Sequence, residues 1–422
     1  MSAPAAGPSI LAFAPGPWWG AEVAGSTRYH LWELARRGWQ VLYVESPQRL
    51  LRRRRTWIAE DRSFVAFGAP WVPPFAVRYC PPAWPGEAWR AATSHCLARQ
   101  ALLRAAERNL RPDIVWYGAP WHGRLHAMMQ QALAPLDARL PLAPPPLHVF
   151  HVYDDLAASP ILSPRRQRLL AEWERALVQA CDATLCSSQP QLDARAPHAR
   201  HAVLVQNAVA DAFVDACERA TPPPEHAELV ARLTAIPGPR LVYGGVVDLR
   251  LDGGLLRATL GHFPDAHLIL LGNAGDAPDR ELREIMSQHP RVHLFGRTPH
   301  GAYPALYAHA DVLLLPHREI AFTRGMYAEK LNEYLAAGRP IVGWGLAETW
   351  RLAAEAGDAR AIRVATTVRD WLDAVREALG ERDEALVEMR RALARRHTWS
   401  IESQRLDGLL RGLLAPRAQA PA

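Results

Sequence analysis

Lysine is almost missing from this chain. Of the 49 lysines and arginines in 422 residues, Lys330 is the one lysine, so arginine serves at every other basic position. Cysteine is sparse too: Cys80, Cys96, Cys181, Cys186 and Cys217 form no CxxC pair and have no histidine at metal-ligand spacing. An odd, scattered set argues against a disulfide framework or a zinc ribbon and fits a reduced, cytoplasmic chain. Long apolar runs are absent, and no window comes near the ~18 residues that a membrane-spanning helix needs. The stretch "MSAPAAGPSILAFAPGP" has no basic segment ahead of an apolar one and is not read as a signal peptide. No DxD stands at a suitable loop, so neither a metal nor another cofactor is expected.

What is present is ordinary in bulk. Hydrophobic residues make up 49% and charged residues 22%, as in a soluble globular chain long enough for two or three domains with their own cores. The net charge of +6 and pI of about 9.3 are a mild basic excess. That suits an anionic small molecule or an anionic membrane surface, and is too diffuse for nucleic acid.

The order of elements reads as α/β throughout. "SILAFAPGPWWGAEVAGSTRYHLWELARRGWQVLYVESP" predicts strand, Gly-rich loop, helix and strand, with Gly38 where a helix-ending glycine belongs. A βαβ unit implies a parallel sheet. "DIVWYG", "LHVFHVYD", "ATLCSS" and "AVLVQN" continue it, and the proline-rich "RATPPPEHAEL" (219–229) reads as a linker. A second series follows in "RLVYGGVV", "AHLILLG", "RVHLFG", "DVLLLP" and "PIVGWG", with a helix expected over 326–337. The expected division is therefore 1–222 and 223–396, two Rossmann-like domains facing a cleft. A terminal helix over 397–422 is expected to pack back towards the first domain, with "APRAQAPA" as a disordered tail.

The single lysine falls in "RGMYAEKLNEYLAAGRPIV", residues 324–342. Leu331, Tyr334 and Leu335 share one helical face, while Met326, Lys330, Glu333 and Ala337 lie along a neighbouring stripe. An ammonium near a helix start suits phosphate, since it is a compact charge beside free N–H groups. Glu333 is three residues on, roughly 4.5 Å along the axis, where a carboxylate can accept from two vicinal hydroxyls. Diphosphate followed by ribose describes a nucleotide lying along the helix. The other reading is a solvated face with Glu329, Lys330 and Glu333 as surface ion pairs, each worth little.

"MYAEKLNEYLAAGRPIVGWGLAE" resembles the PLKxxEYLAxGxPVV segment of bacterial GT-B glycosyltransferases, in the group 1 set related to glycosyltransferase family 4. "VYGGVVDLRLDGGLLRATLGHFPDAHLILLGN" and "RVHLFGRTPHGAYPALYAHADVLLLPHREIAFT" are similar to the same group, as are "VYDDL", "ERALVQACDATLCSSQPQL" and "VLVQNAVADAFV" upstream. The resemblance spans about residues 10–410, in order. It implies an N-terminal acceptor-side domain and a C-terminal donor domain, with Lys330 on the donor diphosphate and Glu333 on the ribose. Retaining members often carry a glutamate eight residues before Glu333; here that position is Gly325, and Glu319 is six residues too early to replace it.

Other residues gain candidate roles. Gly244 and Gly245 stand at a strand-to-helix turn where a bare backbone can approach phosphate, though an ordinary tight turn needs glycine as well. The resemblance places Arg250 near the diphosphate and Arg297 near the base; both are also ordinary surface positions. Thr323, Arg324 and Gly325, ahead of Met326, offer donors to sugar or phosphate, and Thr323 equally suits a helix cap. Asp154 and Asp155 end a strand, where a carboxylate can take the acceptor proton, or a turn can use them as caps. Asp155 is preferred by its resemblance to the acidic pair of xanthan-type glucuronosyltransferases. His151 is a weaker acceptor-side candidate. In the first loop, Trp18 and Trp19 suit stacking on a sugar or anchoring a core, with Gly20 beside them, and Arg28 suits an anionic leaving group or acceptor. Arg49, Arg52, Arg53, Arg54 and Arg55, beside Leu50, Leu51 and Trp57, read as a contact to an anionic membrane or as a solvated loop.

The expected function is sugar transfer from a nucleoside-diphosphate sugar to a saccharide or lipid-linked acceptor, in cell-surface polysaccharide or glycolipid synthesis. A sugar-nucleotide epimerase of the same fold and a non-catalytic sugar-binding or scaffold protein are the alternatives. The expected location is cytoplasmic, at the inner face of the membrane where the arginine cluster acts.

Overall fold

A computed structural model describes residues 7–15, 25–45, 56–58, 64–68, 87–107, 110–129, 144–219, 223–275 and 278–418. The described residues up to Val205, with those from Glu402 onward, form one compact unit; Gln206–Ile401 form the second.

The first unit is built on an eight-stranded sheet. Its strands are β1 Ser9–Phe13, β2 Gln40–Glu45, β3 Thr56–Ile58, β4 Phe64–Gly68, β5 Ile114–Tyr117, β6 Leu147–Val152, β7 Ala183–Cys186 and β8 Ala202–Leu204. The order is β3-β4-β2-β1-β5-β6-β7-β8. Pairing is parallel except that β3 runs antiparallel to β4. Both faces are covered, so the strands are apolar at successive positions rather than at alternate ones. Leu11, Phe13, Val115, Tyr117 and Phe150 meet Leu97, Leu102, Leu170 and Leu177 of the helices Glu87–Ala106 and Pro164–Ala180. Ile10, Ala12, Val41, Trp116 and Val149 face the other way, towards Leu31 and Leu34 of the helix Ser26–Arg36. Leu406 and Leu410 of the last helix, Trp399–Ala418, join that second face. Asp407 on the same helix accepts a hydrogen bond from Trp39 Nε1 at 2.6 Å.

The second unit carries β9 Arg240–Gly244, β10 His267–Leu271, β11 Val292–Gly296, β12 Val312–Pro316, β13 Ile341–Trp344 and β14 Arg363–Ala365. The order is β11-β10-β9-β12-β13-β14, and every pairing is parallel. Chain direction across the sheet reverses between β9 and β12. A parallel sheet opens a ligand crevice outside the carboxyl ends of its strands at such a switch point. The core beneath is Leu241, Tyr243, Leu268, Leu270, Val312 and Leu314 against Leu255, Leu256, Leu260 and Trp371. Trp371 donates its indole N–H to Thr259 Oγ1 at 2.9 Å, so the largest side chain of this core is also satisfied.

Several expectations are corrected. The division lies between Val205 and Gln206, not at the proline-rich segment. The helix Asp211–Glu218 belongs to the second unit, where Phe213 packs against Tyr307 with ring centroids 6.4 Å apart. Within 219–229, residues 227–229 already begin the helix Ala227–Thr234. The first sheet is not wholly parallel. Ala415–Ala418 continue the last helix rather than starting a disordered tail, and 419–422 lie outside the described residues. The helix expected over 326–337 starts at Lys330. Met326, Tyr327 and Ala328 are buried ahead of it in irregular backbone. Asn207 explains the delay: its side-chain N–H donates to the Tyr327 carbonyl at 2.7 Å, taking an acceptor that a longer helix would use.

Candidate functional site

The carboxyl ends of β9 and β12 bring together the glycine turn, the single lysine and a histidine. Gly244 ends β9 with Gly245 next to it, and His317 follows β12 directly. Gly244 donates its N–H to the Tyr334 hydroxyl at 2.8 Å. A Cβ on Gly244 would lie 2.0 Å from the Tyr307 hydroxyl, so the absent side chain is replaced by a tyrosine edge. Gly245 has φ +125°, and a Cβ there would meet Lys330 Cε at 2.8 Å. Both glycines are therefore required, one by sterics and the other by backbone conformation as well.

Lys330 is the first residue of the helix Lys330–Ala337. Its Nζ lies 5.0 Å from the centre of the Tyr243 ring, within range of a cation–π contact. No carboxylate among the described residues pairs with it, which removes the surface ion-pair reading. The helix itself is held at both ends. Tyr327 donates to Asn332 Oδ1 at 3.0 Å, and Asn332 Nδ2 donates to the Asn207 carbonyl at 2.9 Å. At the other end Gly338, with φ +72°, closes the helix, and the fully buried Arg390 donates to its carbonyl at 3.2 Å. Two amides at the helix start are already used, Leu331 N–H by Ala328 and Asn332 N–H by Glu329. The ammonium, rather than those amides, is what this end presents to an anion.

Glu333 stands one turn further on, with its side chain 15% exposed. Its Oε1 lies 2.7 Å from His300 Nε2, and the Tyr307 hydroxyl donates to its Oε2 at 3.4 Å. The hydrogen bond to Glu333 raises the His300 pKa against the opposing effect of burial. Burial and then the same carboxylate push the Cys217 thiol up to about 12 and keep the Tyr303 and Tyr307 phenols neutral.

His317 is a residue of the site that sequence reasoning missed. It is fully buried, and neither ring nitrogen has a hydrogen-bond partner. Burial, then Lys330 and Arg250, hold its pKa well below the ordinary imidazole range. The signal was a histidine directly after the apolar run "DVLLLP".

The other donor-side candidates are engaged within their own loops or exposed. Arg250 forms a two-pronged ion pair with Asp248, at 2.8 Å from both Nε and Nη2. Arg297 is exposed after β11. Thr323 braces its own loop, accepting from Ile320 N–H at 3.1 Å and donating to Arg318 and Ile320 carbonyls. Arg324 is exposed and 3.3 Å from Glu319. Gly325 ends the short helix Ala321–Arg324, and Met326 is buried behind it.

On the first unit, Asp154 and Asp155 follow β6 and are half-buried. Asp155 Oδ1 lies 3.5 Å from Arg195 Nη2, and Arg195 also donates to Glu174 Oε1 at 2.7 and 3.1 Å. Neither helix capping by its side chain nor isolation describes Asp155. His151 is not open to an acceptor: it is 1% exposed, with Nδ1 2.8 Å from Thr27 Oγ1 and its ring edge-on to Trp116 and His30. Burial, then His30, keeps it neutral well below its ordinary pKa. Arg28 is half-buried in the first turn of its helix. Trp18, Trp19, Gly20 and the arginines 49 and 52–55 lie outside the described residues. Among the described residues no three His, Cys, Asp or Glu side chains group to hold a metal ion, and no helix is long and apolar enough to cross a membrane.

Residues 254–381 match the family Glycosyl transferases group 1. The putative teichuronic acid biosynthesis glycosyltransferase TuaH of Bacillus subtilis (strain 168) is 26% identical over 268 residues, 59% of this chain and 64% of that protein. The match thus spans less than two thirds of that relative's length. Among solved structures, sucrose-phosphate synthase from Thermosynechococcus elongatus superposes with a TM-score of 0.69 at 15% identity, covering 97% of this chain and 100% of that one. Anabaena HepE, in complex with UDP and glucose, gives 0.64 at 15% identity over 96% and 100%. These likenesses extend over both units. The chain has the fold of GT-B glycosyltransferases, and its second unit contains a group 1 glycosyltransferase domain.

Proposed function

We propose that this chain is a glycosyltransferase of the family 4-related type. It moves a hexose from a nucleoside-diphosphate sugar to the hydroxyl of a saccharide or lipid-linked acceptor, in cell-surface polysaccharide or glycolipid synthesis. The observation that carries the reading is Lys330: an ammonium with no carboxylate partner among the described residues, set against a side-chain-free turn at a sheet switch point, one helical turn before Glu333. The diphosphate lies against Lys330 and Gly244–Gly245, and the ribose hydroxyls donate to Glu333. As the glycosidic bond breaks, negative charge grows on the diphosphate, and a fixed cation stabilises it without reorganising. Asp155 or its neighbour Asp154 takes the acceptor proton. Arg250 reaches the phosphates only by opening its pair with Asp248. The relatives support the direction, since HepE is solved with UDP and glucose and TuaH is named for teichuronic acid biosynthesis.

A thermal-shift panel of UDP-, GDP- and dTDP-sugars tests this reading, with the best ligand followed by calorimetry. Stabilisation by one base series, abolished by Lys330→Ala and by Glu333→Ala, is the expected result. Unchanged nucleotide affinity in both variants would show that the donor site is elsewhere. The cluster Arg49 and Arg52–Arg55 is proposed to hold the enzyme at an anionic inner membrane face. Cosedimentation with phosphatidylglycerol vesicles, lost on replacing those arginines by glutamine, is the check.

A further inference from the structure

The donor-site reading uses Glu333 but leaves unexplained the residue that grips it. His300 belongs to the turn His300–Ala302 after β11, whereas Glu333 is on the Lys330 helix, 33 residues later. Its Nε2 is 2.7 Å from Glu333 Oε1, and Tyr307 approaches the other oxygen from the following helix at 3.4 Å. The imidazole is itself held: its ring centroid lies 5.4 Å from Phe213 and 6.0 Å from Tyr303. Tyr303 and Tyr307 pack on each other at 5.3 Å, which extends the wall behind the carboxylate.

We propose that His300 is a positioning residue for nucleoside recognition, locking the Glu333 carboxylate so that its remaining lone pairs face the two hydroxyls of a ribose. The proposal rests on the reading of Glu333 given above. An ionised carboxylate has about four acceptor positions. His300 and Tyr307 occupy two, one on each oxygen, and leave two for a vicinal diol. A free glutamate side chain would have to be ordered by the ligand at each binding event; here the protein orders it in advance. The titratable groups facing the pair are Glu329, Tyr303, Tyr307, Tyr334 and Cys217, and of these Glu329 adds to the pull of Glu333 on the His300 proton. The imidazole therefore stays protonated to a higher pH than a free one, and the lock is strongest on the acid side.

The test is calorimetry on the full chain with the nucleoside diphosphate that the thermal-shift panel selects and with its 2′,3′-dideoxy counterpart. Wild type should prefer the ribose form. His300→Leu should weaken the ribose form about tenfold, the scale of one hydrogen bond to a charged group, and leave the dideoxy form unchanged. His300→Gln, which keeps an N–H donor, should recover most of the loss. The wild-type preference should also shrink as pH rises through the His300 titration, and His300→Leu should abolish that dependence. Equal losses for both ligands would make His300 merely structural, and tighter ribose binding in His300→Leu would make it a competitor; either overturns the proposal while leaving Glu333 in place. A wild type that does not distinguish the two ligands removes the Glu333 reading, and this proposal with it.

Discussion

The hydroxyl of Tyr307 stands where a side chain on Gly244 would begin. Only 2.0 Å would separate it from a Cβ there. Gly244→Ala is therefore expected to push Tyr307 off Glu333 and to destabilise the chain by about 1–3 kcal/mol, the usual range for overpacking. Nucleotide affinity should fall with it. Gly261→Ala is the control: it sits in the helix Gly253–His262 with open space around it and should stabilise by about 0.5–1 kcal/mol. Urea melts of the two variants moving in the same direction would contradict this account.

Lys330 should not be replaceable by arginine. The ammonium lies over Tyr243 and against Gly245, where a planar fork has neither the room nor the same reach to a phosphate. Lys330→Ala is expected to weaken nucleoside-diphosphate binding by about 2 kcal/mol, and Lys330→Arg to recover less than half of that. Calorimetry decides it, and full affinity in Lys330→Arg would reduce the lysine to an accident of composition.

Asp155 shares Arg195 with Glu174, so its neutral amide should fold normally: Arg195 keeps its stronger partner. If Asp155 accepts the proton, Asp155→Asn lowers kcat at least about 100-fold while nucleotide affinity and melting temperature stay near wild type. Asp154→Asn should be the milder variant. A loss of melting temperature with kcat preserved would make Asp155 a brace for Arg195 instead.

The Arg390–Glu381–Arg363 cluster couples stability to acid. Burial alone would raise the Glu381 pKa, but hydrogen bonds from Arg390 and Arg363 hold it below its ordinary value of 4.5. A group with a lowered folded pKa stabilises fully above its unfolded pKa, and that contribution is lost as pH falls through the lowered one. Melting temperature should therefore drop below about pH 4.5, and less steeply in Glu381→Gln. Arg390→Leu, which leaves Glu381 to Arg363 alone and takes the donor from the Ala361 and Gly338 carbonyls, should cost about 1–3 kcal/mol at neutral pH. A pH-independent difference between wild type and Glu381→Gln would refute the linkage.

Much of this was legible beforehand because it is local. β9, β10 and β12 announce themselves as short apolar runs closed by glycine or proline, and Lys330 by its solitude in composition. What was not legible depends on distant partners. The late start of the Lys330 helix is set by Asn207, 120 residues away. The pairing of Glu333 with His300 crosses from one element to another, so "GRTPHG" gave no hint of it. The ion pair of Arg250 was not legible because an aspartate two residues earlier looks like any loop acid until both prongs are seen. The proline-rich segment reads as punctuation, but the preceding helix is committed to the second unit through Phe213, a packing fact no punctuation signal carries.

The perch of Lys330 above Tyr243 has a practical corollary. Because the chain has one lysine, reductive methylation with carbon-13 formaldehyde labels a single side chain, apart from any free α-amine. A dimethylammonium 5.0 Å from the centre of an aromatic ring feels its ring current, and its resonance is shifted from that of a solvent-exposed amine. Any ligand that draws the amine off the tyrosine moves that resonance back. The molecule thus carries one spectroscopic reporter, already seated at the proposed phosphate contact.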